Sequence, residues 1–339
     1  MSGEPLLSVR DLRVAYKVGR GELMAVDGAS FDVPRGAIVG LVGESGCGKT
    51  TVARALTRIL ARNARIAGGE LLFDGQDLLG LPERAMNRLR WRDIAFVPQS
   101  AMNSLDPVYR VETQLLEVLR QRGGLGARQA RERAAELFEM VGIEPRRLRD
   151  YPHQFSGGMR QRVAIALALA LKPKLVIADE PVTALDVIVQ RQILDQLLDL
   201  QRQLGIAVIL VTHDISVVAY VCDRIVVMYA GRVVEAGAMR AVLTAPFHPY
   251  AMGLCNAFPD LHGAVGTLTP IEGAPPDLSD PPCACRFAPR CPFALPVCRE
   301  IDPQLADCGG GHLSACHRSD EAERLRRDAG RVETWTAVA

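Results

Sequence analysis

The strongest constraint on this chain lies between residues 37 and 60. Ala37, Ile38, Val39, Gly40, Leu41 and Val42 form an unbroken apolar run that leads straight into Gly43-Glu44-Ser45-Gly46-Cys47-Gly48-Lys49-Thr50, and from Thr51 onward the pattern reads as a helix to residue 60. A buried strand, a glycine-rich turn and a helix in that order are what a phosphate-binding loop of the form G-x-x-x-x-G-K-[ST] requires. The glycines let the backbone turn tightly, so that several amide N–H groups converge on one anion. Lys49 is placed to reach the same charge and Thr50 to offer its hydroxyl to Mg²⁺, while the helix presents the positive end of its dipole. Cys47 has two readings: a small residue that fits the turn, or a thiol activated by a helix N-terminus. The first is the simpler.

The flanking pattern extends this start into a fold. Residues 7 to 33 alternate apolar and polar (Leu7, Val9, Leu12, Val14; Met24, Val26, Phe31, Val33), as half-buried antiparallel strands do. Residues 108 to 150 are rich in Leu, Glu, Arg and Ala and read as a helical insert. A helix is expected over 162 to 171, a buried strand over 175 to 178, a helix over 188 to 203 and a strand over 207 to 212. Helix alternating with apolar strand implies an α/β fold with a mostly parallel sheet core. The strand Leu175-Val176-Ile177-Ala178 ends in Asp179 and Glu180. With a phosphate loop upstream, Asp179 is expected in the Mg²⁺ shell and Glu180 as the general base that polarises an attacking water. His213 ends the next apolar strand, where ligand-facing residues of such sheets lie.

Charge excludes one class of partner. Lysine and arginine number 40 against 39 acidic residues, so nothing favours nucleic acid. The apolar run from 163 to 171 is far short of a membrane span, and Glu4, Arg10, Asp11 and Arg13 break any signal-like start, so a cytoplasmic location is expected. Six of the nine cysteines fall between Cys283 and Cys316, beyond a proline-rich stretch from 270 to 282. In a reducing compartment such crowding favours a metal or cluster site over disulfides. The expected divisions are a nucleotide-binding domain over 1–243 with the insert at about 108–160, a small Cys-rich domain over 244–320, and a charged tail over 321–339, solvated or frayed.

Phe155-Ser156-Gly157-Gly158-Met159-Arg160-Gln161-Arg162 is similar to the signature motif of ABC ATPases. The resemblance covers roughly residues 7 to 240. It implies that Ser156, Gly157 and Gly158 bind the γ-phosphate of ATP held by an opposing subunit, as an anion-binding helix start whose helix runs from Val163. It further implies that Tyr16 stacks on adenine, and that Gln99 touches Mg²⁺ and water and couples to membrane subunits. Ala184-Leu185-Asp186 resembles the loop that crosses the dimer interface, and His213 the γ-phosphate sensor. Met159 stands where glutamine is commonest, a variation found among peptide-transport ATPases.

Ser104-Leu105-Asp106-Pro107-Val108, His248-Pro249-Tyr250 and Ile271-Glu272-Gly273-Ala274-Pro275-Pro276 narrow the resemblance to the ATPases of peptide, oligopeptide and nickel importers. In that family the pattern Cys285-x₅-Cys291-Pro292-x₅-Cys298 with Cys316 is associated with a [4Fe–4S] cluster. The residues alone suit an Fe–S cluster, a tetrahedral Zn²⁺ site or free thiols, with Cys283 and Cys308 extra to the pattern; a structural staple is the plainer role. The family implies a second, homologous ATPase chain, with a heterodimer expected over a homodimer. It also implies two transmembrane permease subunits and an extracytoplasmic substrate-binding protein, with this chain peripheral on the cytoplasmic face. Oligosaccharides and nickel complexes are alternative cargoes. A soluble ABC ATPase of translation or DNA repair fits less well, since neither two cassettes nor a long coiled coil is present, and the importer motifs weigh against an exporter.

Overall fold

The computed structural model describes residues 3–19, 21–99, 104–183, 185–256 and 271–336. In chain order come β1 (Leu7–Val18), β2 (Gly21–Val33), β3 (Ile38–Val42), α1 (Lys49–Leu56), β4 (Ala64–Phe73) and β5 (Gln76–Asp77). Then follow α2 (Glu83–Leu89), β6 (Ile94–Val97), α3 (Val111–Glu117) continued by a π-helical turn (Val118–Arg122), α4 (Ala127–Met140) and α5 (Gly157–Ala168). Next are β7 (Leu175–Asp179), α6 (Val187–Leu204), β8 (Ala207–Thr212), α7 (Ile215–Val221), β9 (Arg224–Tyr229) and β10 (Arg232–Ala238). The C-terminal part holds α8 (Met239–Thr244), α9 (Pro249–Asn256), β11 (Ala306–Asp307), β12 (Leu313–Ser314), α10 (Ala322–Ala329) and α11 (Val332–Thr336).

The chain forms two compact units. One comprises Met1–Leu6, Val33–Ile38 and Leu78–Val211; the other comprises Leu7–Asp32, Val39–Asp77 and Thr212–Ala339. In the first, β6, β7 and β8 are parallel neighbours, with Val97 opposite Ala178 and Asp179 opposite Val211. Every residue of β7 and β8 is buried, which is why the sequence shows continuous apolar runs there instead of alternation. Helix α5 packs on β6 and on α4 and α6.

In the second unit β2, β1, β4 and β5 form an antiparallel layer. The alternation of β1 changes parity between Val9 and Leu12, and the structure shows why. Register shifts fall between Arg10 and Arg13 and again between Arg13 and Val14 and cancel, so that Arg10 faces Glu70 and Val14 faces Ile66; the irregular stretch, with Asp11 at φ 47°, changes which side chains are buried without a net change of register. Gly69 faces it; a Cβ there would lie 2.6 Å from the Asp11 carbonyl oxygen. Strand β3 runs parallel to β9, and β9 returns as β10 through Ala230 and Gly231, both at positive φ, the turn whose twist suits a hairpin. β12 then adds to β10 in antiparallel register, so the sheets are mixed.

Three local expectations need correction. Helix α1 stops at Leu56, not residue 60, because Arg58 enters the left-handed region at φ 54° and the amides of Arg58 and Ile59 return to Ala55 O and Arg54 O. Helix α5 starts at Gly157, not Val163: Gly157 and Gly158 are its first residues, capped by Ser156. The charged stretch from 321 is not solvated along its length, since Leu325, Ala329 and Trp335 are buried and the Trp335 indole donates to Ala329 O at 2.8 Å.

The segment after β10 is held by a buried acid. Glu235 accepts from the amides of Phe247 and His248 and pairs with His312 Nε2 at 2.6 Å. Burial lowers the His248 pKa to about 3, so its neutral ring accepts the Tyr250 amide at Nδ1. No helix among the described residues is long and apolar enough to cross a membrane.

Candidate functional site

The phosphate loop lies in the second unit, at the end of the fully buried β3. Gly43, Gly46 and Gly48 have φ values of 150°, 80° and 101°. Lys49 is 6 % exposed, and its Nζ donates to the carbonyls of Gly43 and Glu44, each at 2.8 Å. The loop is thus curled around its own lysine. Helix α1 has no side-chain cap and no acid in its first turn, the charge pattern that suits an anion at a helix start. The hydroxyl of Tyr16 lies 3.4 Å from Thr51 Oγ1, so the aromatic residue expected to meet the base is beside the loop. Ser45 and Gly46 are exposed at the tip. Cys47 is buried, and burial raises its thiol pKa, which decides for the small residue that fits and against the activated thiol.

The first unit carries the acids. Asp179 is 1 % exposed at the end of β7. Glu180 follows at φ 48°, an uncommon conformation for a residue with a side chain, fixed by its amide donating to Val211 O at 2.8 Å. Its Oε2 accepts from Gln99 Nε2 at 2.8 Å and from Thr183 Oγ1 at 3.1 Å. The register explains this meeting: Val97 and Ala178 are paired across parallel strands, and Gln99 and Glu180 each lie two residues farther on. Thr183 was not singled out from sequence; its position three residues after Glu180 was the available signal.

Ser156 caps α5 by accepting from the Met159 amide at 3.3 Å, and Asp186 caps α6 by accepting from the Val189 amide at 2.9 Å. These ends meet, because a Cβ on Gly158 would lie 2.5 Å from Val189 Cγ1; glycine at 158 is what allows the approach. Leu185 and Asp186 are described, whereas Ala184 lies outside the described residues. Met159 has a partner of its own: Arg147 Nη1 reaches its sulfur at 3.3 Å, and the same guanidinium lies 4.6 Å over the Phe155 ring. His213 is exposed just beyond β8, followed by Asp214, which caps α7 through the Ser216 amide. Near the helical insert, Trp91, Tyr109, Gln114, Val118 and Leu167 line a cavity of about 400 Å³, and Tyr109 is exposed there.

Cys285, Cys291, Cys298 and Cys316 line one small enclosed cavity of about 20 Å³, which Cys283 and Cys308 do not line. The Cys285 amide donates to Cys298 O at 3.1 Å, and the Arg318 amide points at Cys316 Sγ at 3.4 Å. Amides of Phe287 and Ala288 face the Cys285 thiol and that of Phe293 faces Cys291. Burial pushes the Cys316 pKa up to about 12 and raises those of Cys285 and Cys291; the neighbouring thiols add to each shift. No three His, Cys, Asp or Glu side chains among the described residues are grouped to hold a metal ion.

Comparison with known proteins places these features. Residues 26–183 match the family described as ABC transporter, and residues 234–298 match the oligopeptide/dipeptide transporter C-terminal region. The oligopeptide transport ATP-binding protein OppD of Salmonella typhimurium is 46 % identical over 318 residues, 93 % of this chain and 94 % of that protein. The chain belongs to the family of ATP-binding subunits of oligopeptide and dipeptide ABC transporters. The dipeptide transport ATP-binding protein DppD of Bacillus subtilis is 42 % identical over 323 residues, covering 94 % of this subunit and 96 % of its own length. Among solved structures, the ATP-binding cassette MJ0796, dimeric and bound to ADP and Pi, matches with a TM-score of 0.62 at 29 % identity, covering 69 % of this chain and 99 % of that one. This ATP-binding subunit therefore has the α/β fold of the ABC ATPases, with ATP as its nucleotide.

Proposed function

We propose that this subunit hydrolyses ATP to drive import of peptides, with Glu180 as general base and the 43–50 loop as the phosphate cradle. The observation that carries the reading is the Gln99–Glu180 hydrogen bond at 2.8 Å, formed where two parallel strands end side by side. A carboxylate held by a neutral amide and a hydroxyl stays an acceptor, ready for the proton of an attacking water, while Gln99 reports the state of that water and the metal. Thr50, Asp179 and Gln99 would hold Mg²⁺, which would offset the phosphate charge; Tyr16 stacks on adenine, and His213 contacts the γ-phosphate.

Ser156, Gly157, Gly158 and Asp186 act on the ATP of an opposing subunit, a related ATPase chain in a heterodimer. The MJ0796 cassette, dimeric and bound to ADP and Pi, supports a two-subunit site. ATP binding closes the dimer, and the cavity under Tyr109 takes the moving element of a permease subunit; phosphate release reopens it. Two permease subunits and an extracytoplasmic binding protein complete the importer, with this subunit peripheral on the cytoplasmic face of the membrane. The division into an ATPase domain over 1–243, a Cys-rich domain over 244–320 and a tail over 321–339 is part of the same reading.

The relatives' names state oligopeptide or dipeptide transport. Proteoliposomes carrying the complete transporter should accumulate labelled oligopeptides only with internal ATP. Uptake of an oligosaccharide or a nickel chelate in their place would transfer the proposal to that cargo.

The four cavity thiols fit a [4Fe–4S] cluster in donor type and in the backbone N–H groups that face the sulfurs, the hydrogen bonds that tune such clusters. Cys285, Cys291, Cys298 and Cys316 would hold it, and it would supply a cross-link to a segment with little regular structure. Chain purified without oxygen should contain about four irons and four acid-labile sulfides. About one zinc and no sulfide would make the site a structural Zn²⁺ centre, and neither metal in a folded chain would overturn the ligand assignment.

A further inference from the structure

Glu44 occupies a variable position of the phosphate loop, yet both its side chain and its backbone are held. Arg290 grips its carboxylate bidentately, with Nη1 to Oε2 at 2.8 Å and Nη2 to Oε1 at 3.0 Å. The remaining donors of that guanidinium reach Tyr229 OH at 3.2 Å, Glu272 O at 2.9 Å and Ile271 O at 3.2 Å. All five N–H groups thus have acceptors, and the side chain is 7 % exposed. The backbone of Glu44 is held as well, since its amide donates to Tyr250 OH at 2.9 Å. Tyr250 and Tyr229 are fully buried against each other, with ring centroids 4.6 Å apart.

Arg290 ends the short 3-10 turn Ala288–Arg290 and is followed at once by Cys291, one of the four cavity thiols. A loop with glycines at 43, 46 and 48 has many conformations to lose before its amides converge on phosphate. A planar fork anchored by buried tyrosines removes that freedom at the loop's entry. It also cancels a carboxylate that otherwise repels the polyphosphate. We propose that Arg290, with Tyr250, is a positioning residue for ATP binding: the Cys-rich segment pre-shapes the phosphate loop through Glu44. This rests on the phosphate-loop reading given above.

The test is equilibrium ATP binding to the full purified chain. Arg290→Ala should weaken binding about tenfold, the scale of one charge-assisted pair, and Arg290→Lys by a few-fold, because it keeps the charge and loses the fork. Adding Glu44→Gln to Arg290→Ala should restore much of the loss, since the unpaired negative charge is then gone; thermal unfolding of the same ATP-free variants separates this from a structural defect, which would lower the melting temperature in parallel with the affinity. If Arg290→Ala fails to fold, Arg290→Lys with and without Glu44→Gln carries the test. Unchanged ATP affinity in the folded Arg290 variants, or strictly additive losses with Glu44→Gln, overturns the proposal. Lys49→Ala separates the two readings: if it abolishes binding while the Arg290 variants bind normally, only the positioning role falls, and if it binds normally the phosphate-loop reading falls too.

Discussion

Glu180→Gln should reduce ATP turnover by the assembled transporter about a thousandfold while ATP binding persists, the loss expected when a general base is removed from a positioned site. The substitution preserves shape: a glutamine oxygen still accepts from Gln99 or Thr183, which now flank Glu180 at 2.8 and 3.1 Å. What it removes is the charge that takes the proton of the attacking water. Phosphate release measured at saturating MgATP is the primary readout, and an ATP-dependent dimer that persists on size-exclusion chromatography is the second. Turnover within about tenfold of the parent chain would show that another group activates the water, since a positioned base contributes at least a hundredfold.

The backbone supports the same reading from a different direction. Glu180 adopts φ 48° immediately after a strand whose residues are all buried, and its amide is tied to Val211 across the parallel pair. A side chain in the left-handed region is tolerated where the surrounding structure over-determines it, and here the result is a carboxylate turned toward the residue that follows the neighbouring strand by the same two-residue offset. Such an offset is not readable from a sequence, because it depends on the register between β6 and β7. Gln99 alone was an unremarkable glutamine until family resemblance drew attention to it.

Other parts of the site were legible because a short stretch of chain encodes them. The phosphate loop announces itself by strand, glycines, lysine and hydroxyl within one segment, and β7 and β8 by unbroken apolar runs. Helix α5 was placed too late because Gly157 and Gly158 carry low intrinsic helix propensity. Their use is tertiary, since Gly158 admits Val189 from the start of α6. The Arg290–Glu44 clasp was invisible for a stronger reason: its partners are 246 residues apart, and one of them fills a position where the motif accepts any residue. Cys285, Cys291, Cys298 and Cys316, chosen from spacing and resemblance, line one cavity. The tail from 321 was misjudged because charge dominates its composition while a few residues, Leu325, Ala329 and Trp335 among them, do the packing.

Within the loop itself, glycine has two different reasons to be present, and stability measurements can separate them. Gly43→Ala should destabilise the chain by about 4 kcal/mol and abolish ATP binding, whereas Gly46→Ala should cost about 1 kcal/mol, the scale of a strained backbone without a clash. At Gly43 the φ of 150° is combined with a Cβ position 2.1 Å from the carbonyl oxygen of Met228 and 2.8 Å from the Cys47 sulfur. The carbonyl belongs to β9, the parallel neighbour of β3, so it cannot retreat without breaking the ladder from Val39 to Val42. At Gly46 the φ of 80° disfavours a side chain, but nothing lies within 4 Å of the added carbon. Thermal and chemical unfolding of the two variants, each with bound and free ATP, checks the pair. Equal losses would mean that backbone conformation alone governs the loop. A larger loss at Gly43 would mean that the packing of the loop's first residue against β9 sets where the phosphate cradle can form.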